Sequence, residues 1–298
     1  TVNNSGNQNI SSGGIANSTT VNNSGNQNIS SGGITNSTTV NNGGNQNISS
    51  GGIASATTVN SGGLINVSVG GSALALTMSA GGAIAANVGG GGTTLVSGTN
   101  ESGSFYISGN TASNVVLNSR GVLNISSGGI ASATTVNSGG SQNILSGGVA
   151  NSTIINSGGN QIVSSGGVAS SAVVNNGGAI YVSSGGSSYY TQIKSGGNEY
   201  ILSGGYGPSA TISAGGTQTI SFGGLDSGTT IQAGGAQVVA GVAAAAAISG
   251  TQNIRAGGSG VNGLVATGGM VSAALGSFLS GYTISGSNAT ILALGSVN

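Results

Sequence analysis

The stretch Thr1-Val2-Asn3-Asn4-Ser5-Gly6-Asn7-Gln8-Asn9-Ile10-Ser11-Ser12-Gly13-Gly14 returns almost unchanged at positions 20–33 and again at positions 39–52, so the chain repeats with a period of nineteen. A short strict period constrains the fold more than any other feature of this chain. A unit of that size cannot bury a core alone, so its apolar face must be covered by stacked neighbours, as in a solenoid.

A structural repeat keeps its apolar positions in phase after its polar positions have drifted. One column reads Val2, Val21, Val40, Val59 and Met78, then Leu117, Val136, Ile155, Val174, Ile193, Ile212 and Ile231. A second reads Ile10, Ile29, Ile48 and Val67, then Ile125, Ile144, Val163, Val182, Ile201, Ile220 and Val239. Both columns are predicted core. Leu117 falls one position later than two whole periods after Met78, and Ile248 falls two positions earlier than one period after Ile231. These slips predict irregular coils over 79–116 and after Val239. Sixteen coils are expected, with a member supplied by phase near Leu95 and Val96 and a tail through Ile248, Val265 and Ile284.

With 62 glycines and 2% charged residues the chain resembles a disordered one, but 36% apolar residues held in phase can bury a continuous stripe. Glycine dyads such as Gly43-Gly44, Gly51-Gly52 and Gly62-Gly63 alternate at a short and a long gap that together make one period. They mark tight corners where positive φ is needed. The unit therefore reads strand, turn, strand, turn, with strands rich in Ile, Val and Thr and no helical period. The expected fold is an all-β, single-stranded parallel β-helix, wound right-handed by the general rule for parallel crossovers. At about 4.8 Å per stacked strand it would extend on the order of 75 Å. Residues 1–239 form the repeat region, and 240–298 are divergent Ala-rich coils that read as a cap or a stacking end.

Strand alternation assigns faces. Gln8 shares a face with Ile10, and its column drifts to Ile65, Ile84, Leu123 and Ile180, as an inward or rim position would. Asn9 points the other way, and its column stays Asn at Asn28, Asn47, Asn66, Asn124 and Asn143 before becoming Tyr181 and Tyr200. Stacked amides can hydrogen-bond along parallel in-register strands. Thr19, Thr38, Thr57, Thr134, Thr153 and Thr191 share a further column, and both ladders read as structural cladding.

The chain has no His and no Cys, which removes thiolate nucleophiles, imidazole bases, zinc fingers and the usual triads. Its carboxylates are Glu101, Glu199 and Asp226, read as too scattered for a glycosidase pair, and no column repeats an Asp for calcium coils. No enzymatic activity, cofactor or metal is expected. Arg120, Lys194 and Arg255 form no basic stripe for nucleic acid. Lys194 and Glu199 are expected to meet as a weak surface pair. No apolar run is long enough to insert directly into a membrane. The chain opens in mid-pattern without Met, which suggests a processed product.

Tyr181, Tyr189, Tyr190, Tyr200 and Tyr206 fall within two adjacent coils and are the candidate contact surface, since exposed tyrosine carries large contact area at low entropic cost. The alternative reading is an aromatic ladder that stiffens the coil.

The unit Thr135-Val136-Asn137-Ser138-Gly139-Gly140-Ser141-Gln142-Asn143-Ile144-Leu145-Ser146-Gly147-Gly148 resembles the repeats of AIDA-type autotransporter passengers, the adhesins involved in diffuse adherence and their self-associating relatives. The off-register stretch from Val96 to Ile107 is similar to a segment of the same passengers. The resemblance implies an extracellular passenger exported through an outer-membrane barrel, either displayed on the bacterial surface or secreted. It implies adherence, autoaggregation and biofilm formation, with the chain itself and host or matrix glycoconjugates as partners. Some members carry heptose on passenger serines, and the matching positions here are Ser11, Ser12, Ser30, Ser31, Ser49 and Ser50. A second reading is a structural subunit that polymerises head to tail into an extracellular fibre or sheath. A Thr-based ice- or crystal-templating face is disfavoured because the outward columns are mainly Asn and Ser.

Overall fold

A computed structural model of the chain describes residues 1–294 and 296–297. Gly295 and Asn298, at the end of the 240–298 tail, lie outside the described residues. The chain divides into two compact units, Thr1–Asn151 and Ser152–Asn298. Among the described residues both are built only of strands and turns, and both are parallel β-solenoids.

In the first unit each regular coil carries three short strands, for example Asn45–Ile48, Ile53–Ser55 and Thr58–Val59. Each pairs in parallel and in register with its equivalent one period away, as Asn26 does with Asn45 and Ile29 with Ile48. The expected two strands per coil are thus three, because the longer inter-dyad segment bends once more. Ala56 makes that bend at φ 53°, and Ser18 and Ser37 make it in earlier coils at 52° and 57°. No glycine marks this third corner in these coils.

The two glycines of a dyad serve different needs. Gly43 adopts φ +71°, which disfavours a side chain. Gly44 has ordinary φ, but a Cβ there would lie 2.5 Å from the Val21 carbonyl oxygen of the preceding coil. The first residue turns the chain and the second lets the coils approach.

The interior of the unit holds both predicted apolar columns, with Val21, Ile29, Val40 and Ile48 at 1% exposure or less. It also holds three columns between them: Gln27 and Gln46, Ala54 and Ala73, and Thr38 and Thr57 are all buried. The Thr column is therefore core, not outer cladding. Thr19 follows the corner residue and points inward, while Thr20 after it points out.

The irregular segment is an antiparallel excursion. Ala83–Val88 pairs through residues 83–86 with the coil before it and through residues 85–88 with Val122–Ile125. This two-residue shift keeps every side chain on its face. Leu95–Asn100 pairs in parallel with Ser72–Met78 and antiparallel with Gly103–Ser108, which pairs antiparallel with Thr111–Ser113. Two reversals restore the chain direction, and Thr111–Ser113 resumes parallel pairing with Ile130–Ser132. Leu95 and Val96 belong to this hairpin and not to the Val2 column, so one coil fewer forms than sixteen. In each unit the four-residue strands, such as Asn45–Ile48, belong to the first sheet and strands such as Ile53–Ser55 to the second; the long strands number seven in the first unit and eight in the second, fifteen in all.

In the second unit the long strands run from Asn160–Val163 to Thr290–Ala293. Where the period shortens, two corners each lose two residues: Ala240-Gly241 replaces the four residues Ser221 to Gly224, and Ser249-Gly250 replaces Gln232 to Gly235. Gln237 thus pairs with Gln252, at less than a full period. Deletions at corners leave the strands and their faces intact, so the Ala-rich tail continues the same parallel stacking.

Candidate functional site

The outer face of the first sheet is a run of stacked amides. Asn28 Nδ2 donates to Asn9 Oδ1 at 2.8 Å, Asn47 to Asn28 at 2.9 Å and Asn66 to Asn47 at 2.7 Å. A parallel run along the neighbouring corner joins Asn22 to Asn3, Asn41 to Asn22 and Asn60 to Asn41. In-register pairing brings identical amides to hydrogen-bonding distance and aligns them in one direction. The result is an uncharged polar surface that repeats coil by coil.

The six candidate serines are all exposed, on the corners that follow Ile10, Ile29 and Ile48. Ser31 Oγ lies 2.9 Å from where a Cβ of Gly51 would stand, and Ser50 Oγ 2.6 Å from that of Gly70. At Gly51 and Gly70 the leading glycine of the dyad keeps space open beside the serine hydroxyl of the coil before, and at Gly62 it does so beside the Asn42 amide.

The five tyrosines separate onto two faces of the second unit. Tyr181 and Tyr200 occupy the outward column of the first sheet and stack with centroids 5.0 Å apart and planes 10° apart. Their outer neighbours in register are Ile162 and Thr219, so the ladder occupies their ring faces and leaves edges and hydroxyls outward. This pair has the geometry of an aromatic ladder. Tyr189, Tyr190 and Tyr206 gather on the second sheet, where Tyr189 meets Tyr190 at 6.4 Å and Tyr206 edge-on at 6.2 Å. Tyr190 is 59% exposed and sits at the third corner with φ 56°, where neighbouring coils use Ser171 and Ser209. A bulky residue in the left-handed region is an outlier that stacking alone does not require. Leu225, 48% exposed, bridges to Tyr206 and extends the patch.

The expected Lys194–Glu199 surface pair does not form. Glu199 occupies the inward Gln column and is fully buried, while Lys194 Nζ donates to Gln192 Oε1 at 3.0 Å on the surface. Nor are the acids all scattered: Gln218 Nε2 donates both to Glu199 Oε2 at 2.9 Å and to Asp226 Oδ1 at 3.3 Å. Sequence reasoning missed Asp226 although a signal was present. It stands in register with Ala16, Ala54, Ala131, Ala150 and Ala169, a column of small residues that only an interior would impose.

A repetitive solenoid stalk, with its polar groups tied into ladders inside and out, is the class this architecture defines. Residues 97–159 and 137–178 match the family described as adhesin of bacterial autotransporter system, probable stalk. The chain is also similar to a crystal structure of a TibA fragment hyper-glycosylated by TibC, at 36% identity and TM-score 0.61, over 96% of this chain and 91% of that one. No curated protein matches the chain. The chain belongs to the AIDA-type autotransporter adhesin passengers.

Proposed function

We propose that the chain is a non-enzymatic adhesin passenger, displayed on the bacterial surface, that mediates adherence, autoaggregation and biofilm formation. The reading rests on the uncharged, repeating outer amide ladders, a surface suited to many weak contacts with a second copy or with host or matrix glycoconjugates. The Tyr189, Tyr190 and Tyr206 patch is its specific contact site, and Tyr181 with Tyr200 is structural. The exposed serines Ser11, Ser12, Ser30, Ser31, Ser49 and Ser50 are the candidate sites of O-glycosylation, by likeness to the hyper-glycosylated relative.

Cells displaying the passenger test the patch. Tyr190→Ser places at this corner the residue that Ser171 and Ser209 already supply, so folding is retained and adherence should fall several-fold. Tyr181→Ser with Tyr200→Ser should lower the melting temperature and leave adherence unchanged. Unchanged adherence of the Tyr190→Ser cells contradicts the contact site. Displaying cells that do not clump, together with concentration-dependent polymers of the purified chain in sedimentation, would favour the fibre subunit instead.

A further inference from the structure

The interior glutamines of the second unit form a directed chain. Tyr282 donates its hydroxyl to Gln252 Oε1, Gln252 Nε2 donates to Gln237 Oε1 at 2.7 Å, Gln237 Nε2 to Gln218 Oε1 at 2.6 Å, and Gln218 Nε2 to Glu199 Oε2 at 2.9 Å. Every amide points its nitrogen toward the N-terminal side. The chain must stop at position 199, because the next member of the column is Ile180, which cannot accept. A glutamine at 199 would have only Ser188 Oγ to accept from its Nε2, as Gln46 Nε2 has Thr35 Oγ1 at 3.3 Å in the first unit, whereas a carboxyl at this terminus accepts from Gln218 and can hold or release a proton. Ser188 Oγ closes the other oxygen at 2.7 Å.

Asp226 is the second acceptor in the cluster. It takes Thr229 Oγ1 at 2.7 Å, Gln237 Nε2 at 2.9 Å and Gln218 at 3.3 Å. Glu199 is fully buried and Asp226 is 3% exposed. The groups facing them from the coils on either side are Ser188, Thr191, Gln218, Thr229 and Gln237, all neutral, so among the described residues the only titratable neighbour each carboxyl has is the other. Lys194, the nearest cation in sequence, points outward. Two buried carboxyls without a cation cannot both hold full charge cheaply.

We propose that Glu199 and Asp226 form a proton-taking latch in the solenoid interior, which tightens the coils of residues 187–239 in acid medium and loosens them as the medium rises to neutral. The latch lies behind the aromatic patch: Ser188, Gly207 and Asp226 are the inward residues beside Tyr189, Tyr206 and Leu225. Only its effect on adherence rests on the contact-site reading.

Burial, opposed by the hydrogen bonds, raises Glu199 from 4.5 to about 7 and Asp226 from 3.8 to about 6. The folded chain therefore holds protons that the unfolded chain has already released. Stability is highest below the ordinary carboxyl range, declines as pH rises through about 4 to 7, and is level above that.

Thermal unfolding of the purified full chain between pH 5 and pH 8.5 tests this. The melting temperature should fall by roughly 5–10 °C across that range. Asp226→Ala, the residue standing at Ala169 and Ala243, should remove about a third of the fall, and Glu199→Gln with Asp226→Ala nearly all of it. Exposed Glu101→Gln should change nothing. If the double variant fails to fold, wild-type hydrogen exchange corrected for intrinsic rate decides: protection should drop at pH 8.5 in residues 187–239 and hold in residues 20–60. A melting temperature that is flat or rises with pH, an unchanged slope in a folded double variant, or an equal loss of protection throughout overturns the latch. None of these readouts uses adherence, so failure of the latch and failure of the contact site are distinguishable.

Discussion

Two consecutive coils of the first unit share corners, sheets and outward amides, yet are filled differently. In the coil of Asn45–Ile48 the centre is Gln46, whose Nε2 donates to Gln27 Oε1 at 2.8 Å and whose Oε1 accepts Thr57 Oγ1 at 3.0 Å. In the coil of Leu64–Val67 the same place holds Ile65, and Leu76 replaces the threonine. The interior accepts a polar ladder or an apolar block, provided the boundary between them is closed. Thr57 closes it here, supplying the donor that Ile65 cannot. In the second unit Tyr282 closes the head of the ladder and Glu199 its foot. Room for the Tyr282 ring comes from Gly260 and Gly263, where a Cβ would collide with it, and burial pushes its phenol pKa up.

Polar and apolar blocks should therefore respond in opposite ways to substitution. The largest effect is expected from Ile84→Gln, which places one amide inside the apolar block beside Ile65 with no ladder partner; denaturant unfolding should show a loss of about 3 kcal/mol. Next is Thr57→Val, which keeps shape but leaves Gln46 Oε1 without its hydroxyl donor, a loss of about 1–2 kcal/mol by the same measurement. The smallest change has the opposite sign. Thr134 Oγ1 is buried without a partner because the ladder position that would pair with it holds Leu123 in place of Gln. Thr134→Val should raise stability by about 0.5–1 kcal/mol, and a measured loss would show that hydroxyl to be satisfied after all.

The irregular segment carries its own clamp. Arg120 replaces the leading dyad glycine at φ 72°, and its guanidinium reaches Gly62 O at 3.0 Å and Asn45 Oδ1 at 2.6 Å. It straps the corners of several coils on both sides of the antiparallel excursion.

The period, both apolar columns and the outer Asn ladder were legible in the sequence because each repeats in phase with a residue type that only one face tolerates. The third corner was not, because Ser18, Ser37 and Ala56 adopt positive φ without the glycine that advertises it. The Thr column misled for the same reason: an unseen corner reverses the inside and outside assignment of the residue after it. Glu199 was placed in the right column but on the wrong side of the wall. A lone carboxylate is normally solvated, and its role as ladder terminus depends on Ile180 one coil away. The antiparallel hairpin left only a phase slip, since its strands reuse the same Val and Ser vocabulary. Tyr190 stood out by residue type, but its separation from Tyr181 and Tyr200 required the three-sided coil.

The directed interior ladder is most directly tested by hydrogen exchange of the glutamine side-chain amides, resolved by NMR. The Nε2 protons of Gln27, Gln46, Gln218, Gln237 and Gln252 should persist long after the outer Asn28 and Asn47 amides have exchanged. Exchange of the interior amides as fast as the outer ones would contradict a closed, hydrogen-bonded ladder in the core.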